Sequence, residues 1–269
     1  MPKQDEFNKL NRFKQVISKG EIAVGHMLFE FHTRGVALLL DAAGVDFVVI
    51  DMEHSSFSVT QVADLIAWLK ATTIAPFVRI PEIQYQHIAR VMDAGALGIV
   101  APNVKTATEA RVLVSAAKYL PVGKRGFFLG GANSNFQGVR PDAFRDFMDY
   151  ANENTTVICM IESPEAIENL DDIASTPGVD ALWVGWADLA QYMGIPGQFQ
   201  DQRFLDAVKR IVGSAKRHGL PAMIQPGGSE QLKEWQQMGF NAISYSSDID
   251  VYRNAMERAV AEVRKAVQG

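Results

Sequence analysis

One phrase recurs along this 269-residue chain and restricts its fold more than any other feature: a helical stretch, a glycine, then a short apolar run. It reads Asp41-Ala42-Ala43-Gly44 before Phe47-Val48-Val49-Ile50, and Asp93-Ala94-Gly95 before Leu97-Gly98-Ile99-Val100. It returns as Pro177-Gly178 before Ala181-Leu182-Trp183-Val184, and as Met238-Gly239 before Ala242-Ile243-Ser244-Tyr245. A glycine just past a helix supplies the left-handed residue that closes it and turns the chain. Apolar runs that do not alternate with polar residues are buried on both faces, as strands of a parallel sheet are. Ala23–Leu28, Pro76–Ile80, Val157–Ile161 and Pro221–Gln225 are further runs of this kind, which makes eight. Helices are predicted between and after them at 34–43, 58–72, 84–94, 106–118, 163–174, 203–218, 228–238 and 249–267. Eight β/α units in about 250 residues predict an α/β protein, a (β/α)8 TIM barrel folded as a single domain over 1–269. A doubly wound open sheet is the alternative, but no glycine-rich phosphate fingerprint follows the first strand.

Residues 121–156 interrupt the pattern with Gly123, Gly126, Gly130, Gly131, Asn133, Asn135 and Gly138. A long glycine-rich connection in a compact barrel is predicted to be an active-site loop, with Phe127, Phe128 and Phe136 packing part of it. The net charge of −5 carries no basic excess, which argues against nucleic acid as a partner. No run approaches the roughly 20 apolar residues of a membrane span. Lys3, Asp5, Glu6 and Lys9 leave no room for the apolar centre of a signal peptide, so a cytoplasmic protein is expected. The single cysteine, Cys159, excludes a disulfide within the chain and reads as a buried structural thiol.

The chemistry is carried by charges at the ends of the apolar runs. Glu162 closes Val157–Ile161, and Asp188 follows Ala181-Leu182-Trp183-Val184-Gly185 by three residues. Carboxylates at such positions cost several kcal/mol of desolvation unless a positive partner offsets it, and a divalent cation is the simplest one. Barrel enzymes place their reactive groups at the C-terminal ends of strands. Here those ends carry Asp51-Met52-Glu53-His54, Arg79, Glu162 and Asp188, so acid–base, anion-binding and metal-binding groups converge on one rim.

Asp51-Met52-Glu53-His54, Val78-Arg79, Ile161-Glu162 with Glu165-Ala166-Ile167-Glu168-Asn169-Leu170, and Gly185-Trp186-Ala187-Asp188-Leu189 together resemble the HpcH/HpaI family of class II, pyruvate-type 2-keto-acid aldolases. The resemblance runs over residues 20–265. It implies a metal-dependent aldolase that reversibly cleaves a 4-hydroxy-2-keto acid to pyruvate, or a related 2-keto acid, and an aldehyde. By that resemblance Glu162 and Asp188 are the two protein ligands of Mg²⁺, Mn²⁺ or Co²⁺, with the rest of the shell left to water and substrate. The ion then acts as a Lewis acid that stabilises the enolate of a chelating keto acid. Arg79 adds a fixed positive charge beside the developing oxyanion. His54 is the expected acid–base residue, with Asp51 orienting it or sharing its proton relay, and the resemblance adds Asp93 to that relay. Glu53 is expected to bond a metal-bound water or the backbone. Backbone amides of Gly185, Trp186 and Ala187 are expected to bind the substrate carboxylate.

Two departures bear on the donor pocket: Trp186 stands where the family usually has proline, and Met160 where it often has glutamine. His26, His32, His87 and His218 lack a setting like that of His54, and His26 is expected as a packed core residue of the first strand. A Schiff-base aldolase would need a lysine at a strand end, for which Lys105 is the candidate. A carbon–carbon lyase acting on acyl-CoA esters and a non-catalytic 2-keto-acid-binding protein are the remaining alternatives. The resemblance also implies a homo-oligomer, a hexamer built as a trimer of dimers that exchange a C-terminal helix. The apolar face of Val251, Ala255, Ala259 and Val263 suits such packing, and suits an ordinary eighth barrel helix equally.

Overall fold

The computed structural model describes residues 11–226 and 229–268. The N-terminal expectation drawn from Lys3, Asp5, Glu6 and Lys9 lies outside the described residues, as do the ends of the 1–269 domain span. Eight parallel strands close into a barrel in chain order. They are β1 (Ala23–Leu28), β2 (Phe47–Asp51), β3 (Ala75–Arg79), β4 (Gly98–Ala101), β5 (Thr156–Ile161), β6 (Ala181–Val184), β7 (Ala222–Ile224) and β8 (Ala242–Ser247). The four glycines of the recurring phrase, Gly44, Gly95, Gly178 and Gly239, all have positive φ, between 82° and 106°. They turn each preceding helix into its strand as expected.

Because β2 to β7 are buried along their whole length, the barrel has two cores. Strand residues pointing outward, such as Val48, Ile99, Cys159 and Val184, pack beneath the surrounding helices. Residues pointing inward, such as Phe47, Phe77, Ile158 and Met223, fill the barrel itself. A short helix absent from the sequence expectation, α1 (Arg12–Ser18), closes the N-terminal end. Its Phe13 packs edge-on against Phe47 and Phe77, with ring centroids 5.3 Å away in both cases. The side chain of Asn11 donates to the carbonyls of Leu97 and Asn154. The other end stays open for a cavity.

The barrel helices are α2 (Arg34–Ala42), α3 (Val59–Leu69), α4 (Tyr85–Asp93), α5 (Ala107–Ala117), α6 (Phe144–Asn154), α7 (Pro164–Glu168), α8 (Leu170–Ala174), α9 (Trp186–Tyr192), α10 (Gln202–Arg217), α11 (Ser229–Met238) and α12 (Asp248–Gln268). The helix expected at 163–174 is two pieces, broken at Asn169, whose side chain donates to the carbonyls of Lys105 at 3.0 Å and Glu165 at 3.2 Å. The larger correction concerns residues 121–156. They are not a loop at the active-site rim: the last of them form α6 and begin β5. The remainder joins the C-terminal end of α5 to a helix that leads into β5, so it lies at the N-terminal end of the barrel. It is tied down there by Lys70, which follows α3 and donates to the Ala132 carbonyl and, at 2.9 Å, to Asn135 Oδ1. Arg125 anchors it to Asp93 at 2.5 Å. Among the described residues no helix is long and apolar enough to cross a membrane.

Candidate active site

The site begins with a pairing register. Asp51 and Arg79 end adjacent strands and are Cα partners, which sets their side chains side by side. Asp51 is fully buried, and its Oδ1 accepts Arg79 Nε at 2.6 Å and the Glu53 N–H at 3.2 Å. Its Oδ2 accepts the His54 N–H at 3.0 Å, and its carbonyl accepts the Ser55 hydroxyl. Asp51 thus fixes the turn after β2 and aims the guanidinium of Arg79, which reaches on to Glu53 Oε2 at 3.3 Å. Burial works against the charge on Arg79, but the hydrogen bond and charge of Asp51, with Glu53 behind it, hold its pKa above the ordinary value. Burial also raises the Glu53 carboxyl, against the pull of Arg79 and His54. The imidazole of His54 is 57% exposed and lies 3.6 Å from Glu53 Oε2. The carboxylate nearest its ring is therefore Glu53, while Asp51 holds its backbone.

Across the barrel mouth, Glu162 follows β5 and is 2% exposed. Its Oε1 accepts the N–H of Asn103 at 2.5 Å. Its Oε2 lies against Gly185, the residue after β6, where an added Cβ would stand only 1.9 Å from it. Burial pushes the Glu162 carboxyl up to about 7; the Asn103 N–H and Arg79 oppose this, and the charges of Glu53 and Asp188 add to it. Asp188 occupies the first turn of α9. A buried acid driven toward neutrality beside other acids is the electrostatic setting a small dication relieves. Among the described residues no group of three or more His, Cys, Asp or Glu is gathered as a metal cluster. A cation here would rest on two carboxylates, with most of an octahedral shell left open, so the residues fit a hard, hydrated ion.

His54, Arg79, Glu162, Gly185, Trp186, Ala187 and Asp188 line one cavity of about 180 Å³ at the C-terminal end of the barrel. Its other wall, Met27, Phe29, Met160 and Trp183, is apolar, and Gln225 completes it. Met27, Phe29, Trp183 and Gln225 are lining residues that the sequence does not single out. Gln225 ended a recognised apolar run and carried the same positional signal as Arg79. Met160 precedes Glu162 by two residues, and strand alternation turns both inward. Trp186 is held edge-on by Phe199 at 4.8 Å.

Asp93 and Lys105 lie away from the cavity, and His26 is the packed core residue expected on the first strand. Asp93 ends α4, and because that helix runs antiparallel to the strands, it lies at the opposite end of the barrel from His54 within one chain, paired with Arg125. Lys105 does not line the cavity; its backbone is engaged by Glu109 and Asn169. His26 is buried on β1 with Nδ1 3.1 Å from the Tyr245 carbonyl, and burial lowers its pKa. Cys159 is buried and its thiol is pushed up to about 12 by burial, which leaves it inert.

The sequence model of the HpcH/HpaI aldolase/citrate lyase family matches residues 34–255. A 5-keto-4-deoxy-D-glucarate aldolase of Klebsiella pneumoniae is 29% identical over 255 residues, covering 95% of this chain and 97% of that enzyme. The crystal structure of an HpcH/HpaI aldolase from Desulfitobacterium hafniense superposes with a TM-score of 0.87 at 26% identity, over 93% of this chain and 96% of that one. The citrate synthase SbnG superposes with a TM-score of 0.85 at 29% identity, over 96% of this chain and 99% of that one.

Proposed function

The chain belongs to the HpcH/HpaI aldolase/citrate lyase family, a family of carbon–carbon lyases, and from that membership we propose a metal-dependent aldolase that reversibly cleaves a 4-hydroxy-2-keto acid to pyruvate, or a related 2-keto acid, and an aldehyde. The observation that carries this reading is the convergence of His54, Arg79, Glu162 and Asp188 on a single cavity. Glu162 and Asp188 would hold Mg²⁺, Mn²⁺ or Co²⁺. When bound, the ion would supply Lewis acidity to a chelating keto acid.

The remaining work falls to the chain's own groups. Arg79, fixed by Asp51, presents an immobile positive charge to the oxyanion as it develops. His54, exposed to the cavity, takes the proton from the hydroxyl of the 4-hydroxy acid as the C3–C4 bond breaks, and returns a proton to C3 of the donor. The N–H groups of Trp186 and Ala187 fit the substrate carboxylate, because the first amides of a helix have no acceptor within it; the Gly185 N–H, expected to join them, donates instead to the Ile161 carbonyl at 3.2 Å. The apolar wall of Met27, Phe29, Met160 and Trp183 excludes water from the donor carbon.

The proposal includes a homo-oligomer, a hexamer. Support comes from α12, whose residues 251–267 are exposed throughout, among them Tyr252, Met256, Val260 and Val263. A part for Asp93 in proton transfer would then require a second copy to bring it to His54. A second reading, carbon–carbon chemistry on an acyl-CoA ester, draws support from the likeness to a citrate synthase. A screen of 4-hydroxy-2-keto acids, 5-keto-4-deoxy-D-glucarate first, and of acyl-CoA esters, with metal-stripped and reconstituted enzyme, tests both. Cleavage of a keto acid that is lost on stripping and restored by a divalent ion is expected. Full turnover without metal, or turnover of thioesters alone, would reject the aldolase reading.

A further inference from the structure

We infer that Asn103 is a positioning residue for Glu162 and acts through its backbone rather than its side chain; this rests on the metal-binding reading of Glu162 and Asp188 above. β5 is flanked in the barrel by β4 and β6, and the residues just past those two strands hold the Glu162 carboxylate from both sides. From β6, Gly185 leaves the space that Oε2 fills. From β4, the chain leaves through Ala101-Pro102-Asn103-Val104, and the Asn103 N–H donates to Oε1 at 2.5 Å. The next amide, of Val104, donates to the Met160 carbonyl at 3.3 Å, so the turn is stitched to β5 at successive residues.

Asn103 can deliver its N–H there because its φ is 53°, in the left-handed region. Side chains other than glycine avoid that region, asparagine least of them, and β-branched residues most. The side chain offers no competing explanation for an asparagine: its Oδ1 is buried without a hydrogen-bond partner among the described residues. Proline at 102 adds a fixed φ before the turn and has no N–H to compete for Glu162. A residue that rejects the left-handed conformation would swing the 103 N–H away and release one of the two restraints on the metal-facing carboxylate.

The test is Mn²⁺ binding, titrated by calorimetry and by the loss of the free-ion EPR signal, with folding of each protein checked by circular dichroism. Wild type and Glu162→Gln set the baseline: Mn²⁺ bound by the first and not by the second. Asn103→Val is expected to weaken binding roughly 10- to 100-fold, the usual cost of losing a group that orients a ligand. Asn103→Gly keeps both the backbone conformation and the N–H, and is expected to bind within a few-fold of wild type. Asn103→Ala, with the smallest side chain that still resists the conformation, is expected between the two and replaces the valine variant if that fails to fold. Wild-type affinity in Asn103→Val or Asn103→Ala would overturn the inference. A loss in Asn103→Gly equal to that in the other variants would overturn it too, by assigning the role to the side chain. Failure of the wild type to bind Mn²⁺, or undiminished binding by Glu162→Gln, would instead reject the metal reading on which the inference rests.

Discussion

Asp51 shows how a charge buried to 0% exposure is made tolerable and useful at once: its carboxylate takes an arginine and two backbone amides. Asp51→Asn keeps the shape but removes the hydrogen-bonded charge beside the buried Arg79, leaving the longer ion pair to Glu53 and the more distant charge of Glu162. Breaking such a buried pair costs about 3–5 kcal/mol, so urea denaturation should show a loss of that order and turnover should fall with it. A variant as stable as the wild type would mean that Arg79 finds water or another acid in place of Asp51. Asp51, Arg79 and Glu162 were legible in the sequence because an ionised group closing an apolar run conflicts with its surroundings until a partner is supplied. Gln225 occupies an equivalent place but, being neutral, raises no such conflict. Which acid faces the His54 ring was not legible either. Asp51 and Glu53 alternate on one strand-like stretch, and only the tight turn after β2 decides that Glu53 meets the imidazole.

At the scale of elements, the glycine-to-strand phrase carried the fold because it combines two independent physical demands: a left-handed residue to end a helix and two-sided burial for the strand. The glycine-rich segment misled for a related reason. Glycine reports backbone freedom, but which end of a barrel a connection occupies depends on whether it leads out of a strand or into one. α5 already ends at Ala117 and the next strand is β5, so the connection belongs to the N-terminal end. Lys70 clasps it there, donating to Ala132 and Asn135. Burial lowers the Lys70 pKa from 10.5 to about 8. Between those values the unfolded chain holds a proton that the folded chain has lost, so stability rises with pH across that window. The cost of burying the ammonium is fully present below it. Chemical denaturation at pH 8 and at pH 10 should therefore show the wild type gaining on Lys70→Met as pH rises. A difference that stays constant would place the Lys70 pKa at its ordinary value.

For the whole molecule, the barrel accounts for the cavity but leaves residues 251–267 of α12 exposed. No feature of the apolar pattern at 251–266 distinguished an assembly helix from a barrel helix, since both need one apolar face. Contiguous apolar surface of this kind is seldom left bare. Sedimentation velocity is expected to find a hexamer for the wild type and smaller species for Met256→Glu combined with Val260→Glu; a monomeric wild type would contradict the assembly. A dication held by Glu162 and Asp188 would make the C3 proton of a bound keto acid labile, and exchange of the pyruvate methyl protons in D₂O, followed by NMR, reads that lability. Exchange should be catalysed by Mn²⁺- or Mg²⁺-reconstituted wild type, and fall to the uncatalysed rate in stripped protein and in reconstituted Glu162→Gln. Equal exchange by stripped and reconstituted wild type would contradict it.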